Sequence, residues 1–322
     1  MDDKFRSKKC SEGDSHMQSG NKWLETSIWK LKTSPDYDSA AADFDKALTC
    51  YKLAKDMDKA IDAAMKSAEC YLKTSQEFHC AKLIEQVALF YRDKNDMKMC
   101  CKYIEQSSNH YTSCGEIDSA FQCIERLAKS LDQSSSSTEL HKMTAVALLK
   151  KAFEVGKISN RPHEAVSALD YASKILLSLK KYEESLEIVE RTWNFYEEVN
   201  NPKMLFRVGL HFVLLNLQLQ RFEPALEMSQ KMLNVDEELA GELNVLIKAF
   251  EMGDQKLVSK ITMGQNFVYT ENEFAKLGAN LKVSESAEEI FVRNGSRSLD
   301  SGFASGSTGM SREVEFDEDD LS

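Results

Sequence analysis

Residues Asp38–Tyr71 read DSAAADFDKALTCYKLAKDMDKAIDAAMKSAECY, and their spacing decides the fold. Ala40, Phe44, Ala47 and Tyr51 step by four, three and four residues, the interval that aligns side chains along one face of an α-helix. Ala60 and Tyr71 then repeat the opening alanine and the closing aromatic twenty residues later. The stretch reads as two amphipathic helices joined by a turn, not as strands.

The same rhythm extends outward. A small residue opens each helical stripe at Ala40, Ala60, Ala81, Cys100 and Ala120, then at Ala145, Ala165, Ser185 and Ala225, with Leu205 in the same register. One step is too long, from Ala120 to Ala145, and it contains the extra run Ser134, Ser135, Ser136, Ser137 and Thr138, an inserted loop. Ten or eleven residues after each anchor stands a large apolar side chain: Tyr51, Tyr71, Tyr91, Tyr111, Leu131, Leu176 and Tyr196, with failures at Gly156, Asn216 and Asp236. Twenty residues allow a helix of roughly 22 Å and a turn of about five residues, the allowance for antiparallel neighbours. Asn95-Asp96, Gly115-Glu116 and Asn160-Arg161-Pro162 punctuate the pattern, and Pro202 suits a first helical turn.

The small residue lets two helices approach and the aromatic fills the next groove, so the tyrosine stripe is a packing stripe. No hairpin can bury its own apolar face, so neighbours must stack into one array. The expected fold is all-α: a tetratricopeptide-like, right-handed α-solenoid of antiparallel helical hairpins. Its expected parts are a flexible N-terminus over residues 1–19, the solenoid over 20–251, a C-terminal helical cap over 252–283, and a disordered Ser/Gly linker with an acidic tail over 284–322. The cap follows from the shortening of the rhythm around Leu257, Ile261, Phe274 and Leu281. The linker follows from a composition too poor in apolar surface to offset ordering.

Composition limits function. The 322 residues carry a net charge of −11, which argues against nucleic acid as a partner, since its binders concentrate basic charge. No run of eighteen apolar residues and no basic-then-apolar opening occurs, so a cytoplasmic protein is expected. The eight cysteines contain no CxxC pair and read as reduced thiols filling small spaces. Nucleotide, zinc-protease and serine-hydrolase motifs are absent from the sequence, and the six histidines are dispersed. His110 and Cys114 lie one helical turn apart, but two ligands do not make a zinc site. The expectation is no enzyme, no cofactor and no metal.

Two segments carry functional chemistry. In Trp23–Leu31, WLETSIWKL, indole rings alternate with lysines; this suits either a bilayer interface or a capping helix that covers the first hairpin. At the C-terminus, Asp317, Glu318, Asp319 and Asp320 precede a lone Leu321, and charge followed by an apolar plug can dock in a basic pocket.

The stretches PDYDSAAADFDKAL at 35–48, YKLAK at 51–55, FHCAKLIEQVALF at 78–90 and YTENEFAKLGANLKV at 269–283 make the chain resemble the soluble NSF attachment proteins, with the gamma type fitting best. That resemblance implies a non-enzymatic adaptor that binds SNARE complexes and recruits and stimulates an NSF-type AAA+ ATPase for SNARE disassembly in vesicle trafficking. It implies a peripheral membrane contact at Ile28, Trp29 and Leu31, and an ATPase contact at Asp317, Glu318, Asp319, Asp320 and Leu321. It implies SNARE contacts on the concave side at Lys52, Lys55 and Lys94. Other attachment-protein subunits are further implied partners. Glu116, Gln122 and Ser167 stand where the alpha type is basic, which implies a different SNARE subset or a helper role. The competing expectation is a generic tetratricopeptide scaffold that clamps a peptide and meets neither SNAREs nor lipid.

Overall fold

The computed structural model describes residues 3–26, 34–134, 137–159 and 162–283. Among these residues there are fifteen helices and no strand. The chain opens with α1 (Asp3–Leu24), α2 (Tyr37–Ala54), α3 (Met57–Lys73), α4 (Glu77–Asp93) and α5 (Met97–Ser113). It continues with α6 (Ile117–Asp132), α7 (Glu139–Gly156), α8 (Pro162–Ser178), α9 (Tyr182–Glu198), α10 (Pro202–Gln218) and α11 (Phe222–Met232). It closes with α12 (Glu237–Glu251), α13 (Gln255–Thr262), α14 (Gln265–Val268) and α15 (Asn272–Ala279). Each helix from α1 to α13 packs on the next, and next-but-one helices also touch, which is the progression of a helical solenoid.

The twenty-residue rhythm is built into the turns. A left-handed residue ends the helices at Lys55, Ser75, Asn95 and Gly115, and again at Lys180, Asn200 and Gln220. The residue after it donates its backbone N–H five positions back: Asp56 to Tyr51 at 3.0 Å, Gln76 to Tyr71 at 2.8 Å, Asp96 to Tyr91 at 2.9 Å and Glu116 to Tyr111 at 2.8 Å. This closure satisfies carbonyls that a helix end leaves unpaired. In these helices the large-residue mark of the sequence is therefore the capped carbonyl. Restarting is equally local, because Asp36, Asp56, Asp96, Asn201, Asp236 and Asp254 each accept a backbone N–H from the first turn that follows.

Every anchor from Ala40 to Ala225 is buried, most of them completely. Ser185 is among them, and its hydroxyl is 2.8 Å from that of Ser173, so the one polar anchor is partnered. The core is continuous from Ala81 to Leu281, while two smaller clusters, around Ala47–Phe90 and around Ala40–Cys70, serve the first hairpins. The failure of the large-apolar mark at Asn216 is a buried amide, which donates to the Phe212 carbonyl at 2.9 Å.

Within the segment expected to be a flexible N-terminus, Asp3–Leu24 forms α1, laid along α2. The sequence hid this helix because it has no apolar stripe. Two glycines replace one. A Cβ on Gly13 would come within 2.7 Å of the Tyr51 ring, and one on Gly20 within 2.5 Å of the Phe44 ring. The aromatic rings thus pack directly on helix backbone, and polar bonds complete the contact: Tyr51 to Asp14 at 2.8 Å, Lys59 to Asp14 at 2.8 Å and Ser19 to Asp43 at 2.6 Å.

Candidate functional site

A repeat near forty residues puts alternate helices on a common face. Side chains bridge α2 to α4 (Lys52 to Gln86, 3.3 Å), α4 to α6 (Arg126 to Glu85, 2.8 Å), α6 to α8 (Tyr171 to Asp132, 2.7 Å) and α8 to α10 (Arg207 to Asp170, 2.8 Å). The odd-numbered helices form the opposite ladder, through Lys151–Glu105 at 2.6 Å, Arg191–Glu154 and Arg221–Glu183 at 2.8 Å. Partly exposed pairs of this kind contribute little each; their value here is in showing which helices are neighbours.

The even-helix face is hollowed. Between α2 and α4 lies a cavity of about 270 Å³ lined by Asp45, Thr49, Lys52, Tyr71, Lys82 and Gln86, among others. Between α6 and α8 lies one of about 670 Å³, lined by Gln122, Glu125, Arg126, Lys129, Glu164 and Ser167, among others. Both are open, mixed-charge grooves suited to a protein surface. Lys52 is exposed at the rim of the first, and Lys55 is exposed at the left-handed residue ending α2. Lys94 caps α4, pairs with Asp58 and stands 5.9 Å from the Tyr91 ring centre. The Asp58 carboxylate raises the Lys94 pKa, which keeps its charge. Lys52 and Lys55 therefore lie at one helix end with Lys94 at the end of the neighbouring even helix, but Lys94 is already partnered. Gln122 and Ser167 share the second groove, and Glu116 precedes α6. Lys82, Arg126 and Lys129 are further cations of the same face, and counting the register onward from Ala81 and Ala120 finds them.

Beyond α8 the even face is covered by the chain itself. Glu271 bonds to Arg207 at 3.0 Å and pairs with Lys174 at 3.2 Å. Phe274 stacks on His211 with ring centres 3.6 Å apart, and His211 Nε2 lies 2.7 Å from the Thr270 hydroxyl. Burial, then the charges of Arg207 and Lys174, push the His211 pKa well below its ordinary value and keep the ring neutral. Burial pushes Asp170 up, against the pull of Arg207.

Trp23 ends α1 and donates its indole N–H to Asp43 at 3.0 Å, so it belongs to the packed first helices. Ile28, Trp29 and Leu31, and Asp317, Glu318, Asp319, Asp320 and Leu321, lie outside the described residues. Among the described residues no group of three His, Cys, Asp or Glu side chains is placed to hold a metal, and no helix is long and apolar enough to cross a membrane. Desolvation pushes the Cys80 thiol up to about 11 and those of Cys100 and Cys123 up to about 12; thiols held protonated are poor nucleophiles.

Three comparisons bear on this arrangement. Residues 11–191, more than half of the chain, match the family described as Soluble NSF attachment protein, SNAP. A gamma-soluble NSF attachment protein of Dictyostelium discoideum is 23% identical over 289 residues, covering 88% of this chain and 87% of the relative. Among solved structures, a circular tandem repeat protein aligns over 89% of this chain and 79% of its own, at 12% identity and a TM-score of 0.35.

Proposed function

The chain belongs to the soluble NSF attachment protein family, and from that premise we propose that it is a non-enzymatic adaptor that binds SNARE complexes and recruits and stimulates an NSF-type AAA+ ATPase. The observation that carries this reading is the coincidence of the family match with the even-helix face: residues 11–191 include α2, α4, α6 and α8, whose exposed side chains line the two grooves. A bundle of SNARE helices would lie across this face, meeting Lys52 and Lys55 near one end. Lys94 would join them only by releasing Asp58. The mixed charge around Gln122, Glu125 and Ser167 favours a partner surface less acidic than a uniformly basic groove would select.

In this reading the hairpin stack supplies rigidity and the ATPase supplies all the chemistry. Residues 284–322 form the linker and acidic tail, with Asp317–Asp320 addressing a basic ATPase surface and Leu321 stimulating hydrolysis. Ile28, Trp29 and Leu31 hold the adaptor peripherally at the membrane from the cytoplasmic side. Other attachment-protein subunits sit beside it on one bundle.

Reconstituted SNARE disassembly, with and without liposomes, tests the proposal. Leu321→Ala should lower ATPase stimulation and leave SNARE binding nearly intact, whereas Lys52→Glu with Lys55→Glu should weaken SNARE binding first. Wild-type behaviour of both variants would remove these site assignments, and failure of the unaltered chain to bind either partner would remove the function.

A further inference from the structure

The tetrad Glu271–Phe274, ENEF, crosses the step between α8 and α10. Its two outer residues make the specific contacts, Glu271 with Arg207 and Lys174, and Phe274 with the His211 ring, which is only 2° from parallel. The site therefore accepts a carboxylate followed, three residues later, by an aromatic ring, the offset that one helical turn supplies. Without Glu271, Lys174 would lose its partner and Arg207 would keep only Asp170. Two cations would then face one carboxylate beside the buried, neutral ring of His211.

The occupant is a weak helix. α15 has eight residues, fewer than an isolated helix needs to persist in water. Glu271 stands at its N-cap position but makes no capping bond, because its carboxylate is turned to the two cations. Docking and helicity of α15 must rise and fall together, which makes it the displaceable part of the cap.

The same tetrad occurs once more in the chain. Glu313-Val314-Glu315-Phe316 repeats Glu271-Asn272-Glu273-Phe274, and these are the only two Glu-x-Glu-Phe sequences present. We propose that Glu313–Phe316 of the acidic tail is a second occupant of the α8–α10 site and competes with α15 for it. The 29 residues between Val283 and Glu313 can span up to about 100 Å, so the tail reaches a site beside which the cap itself ends. Tethering raises its local concentration there. Binding of Glu313–Phe316 would draw the next residues, Asp317–Leu321, onto the solenoid and away from any outside partner. That consequence rests on the adaptor reading; the binding itself does not.

A fluorescein-labelled peptide of residues 311–322 tests this in trans, by anisotropy, against full-length chains whose own tail tetrad is disabled by Phe316→Ala. Adding Glu271→Gln and Phe274→Ala to the host, which vacates the site, should tighten peptide binding at least tenfold, and adding Lys174→Glu should remove that gain. A peptide in which the same residues are scrambled should show no gain. Equal binding to vacated and unvacated hosts, or an equal gain with the scrambled peptide, would overturn the proposal in favour of unspecific acidic attraction. A host unfolded by the substitutions is met by a second measurement on an intact cap: Glu313→Gln with Phe316→Ala should slow hydrogen exchange in residues 272–279 about twofold. Exchange unchanged by those tail substitutions would overturn it independently. Slowing seen instead with Glu288→Gln and Phe291→Ala, which alter the looser match EEIF at 288–291, would assign the competition to the wrong segment and equally defeat it.

Discussion

The first two hairpins and the helices from α6 onward solve the same packing problem with different chemistry. In α3 and α5 a serine and a tyrosine face the preceding helix in identical register. Ser67 bonds to Asp45 at 2.6 Å and Tyr71 to Asp45 at 2.9 Å; Ser107 bonds to the Ala81 carbonyl at 2.9 Å and Tyr111 to Glu85 at 3.3 Å. Alanines and cysteines fill the space between. Farther along, Ala152 and Gly156 occupy the corresponding places in α7, and fully buried leucines such as Leu149, Leu169 and Leu176 supply the core. Short side chains bring helices close and leave directional bonds to fix their register. Leucines fill volume and specify register less sharply.

Substitutions can break this contrast, and the largest effect belongs to the leucine core. Leu169→Ala should cost about 2–5 kcal/mol, as a transfer term plus a cavity, read as a lowered urea midpoint. A loss below about 1 kcal/mol would mean that this half holds together by something other than volume. In the first half, Tyr71→Phe should cost about 1 kcal/mol, since Asp45 keeps its bond to Ser67 and only one hydrogen bond is lost. An effect as large as that of Leu169→Ala would erase the distinction between the halves.

The smallest and most local effect comes from acid, and it should strike the two halves at different pH. His211 is held neutral with a lowered pKa, while unfolded or undocked chain binds a proton near the ordinary value of 6.5. Its contribution is therefore complete above that value and is lost as pH falls below it. The groups facing the ring are Thr270 and Phe274 from the α14–α15 segment, Arg207 on its own helix and Lys174 on α8, with Asp170 and Glu271 next to the two cations. A third positive charge beside Arg207 and Lys174 finds no new carboxylate. Asp14, whose pKa Lys59 and Tyr51 lower by hydrogen bonding, holds α1 until pH falls below the ordinary carboxylate value of 3.8. Hydrogen exchange between pH 7.5 and 5.5, corrected for intrinsic rates, should show residues 272–279 opening while α1 stays protected. Opening of α1 first would reverse the assignment.

The periodic helices were legible because each twenty-residue unit carries its own start, stop and apolar stripe. Lys52 and Lys55 were legible as cations, yet nothing in the sequence marked Lys94 as partnered by Asp58, since that pairing crosses a turn between two hairpins. α1 was illegible for a related reason: its contact uses the absence of side chains at Gly13 and Gly20, which no hydrophobic pattern records. The covering of Lys174 and Arg207 by α15 was equally hidden, because Glu271 lies 64 residues from Arg207 in the chain.

By itself the sequence determined the all-helical class, the unit length and the extra run at Ser134–Thr138, which follow from local spacing and capping chemistry, while its matching stretches carried the family resemblance. Only the tertiary structure decided which helices share a face, that Lys94 on it is held by Asp58, and where the cap closes it. Those outcomes depend on contacts between residues one hairpin or more apart, and a chain's local preferences do not encode how far successive hairpins rotate against each other.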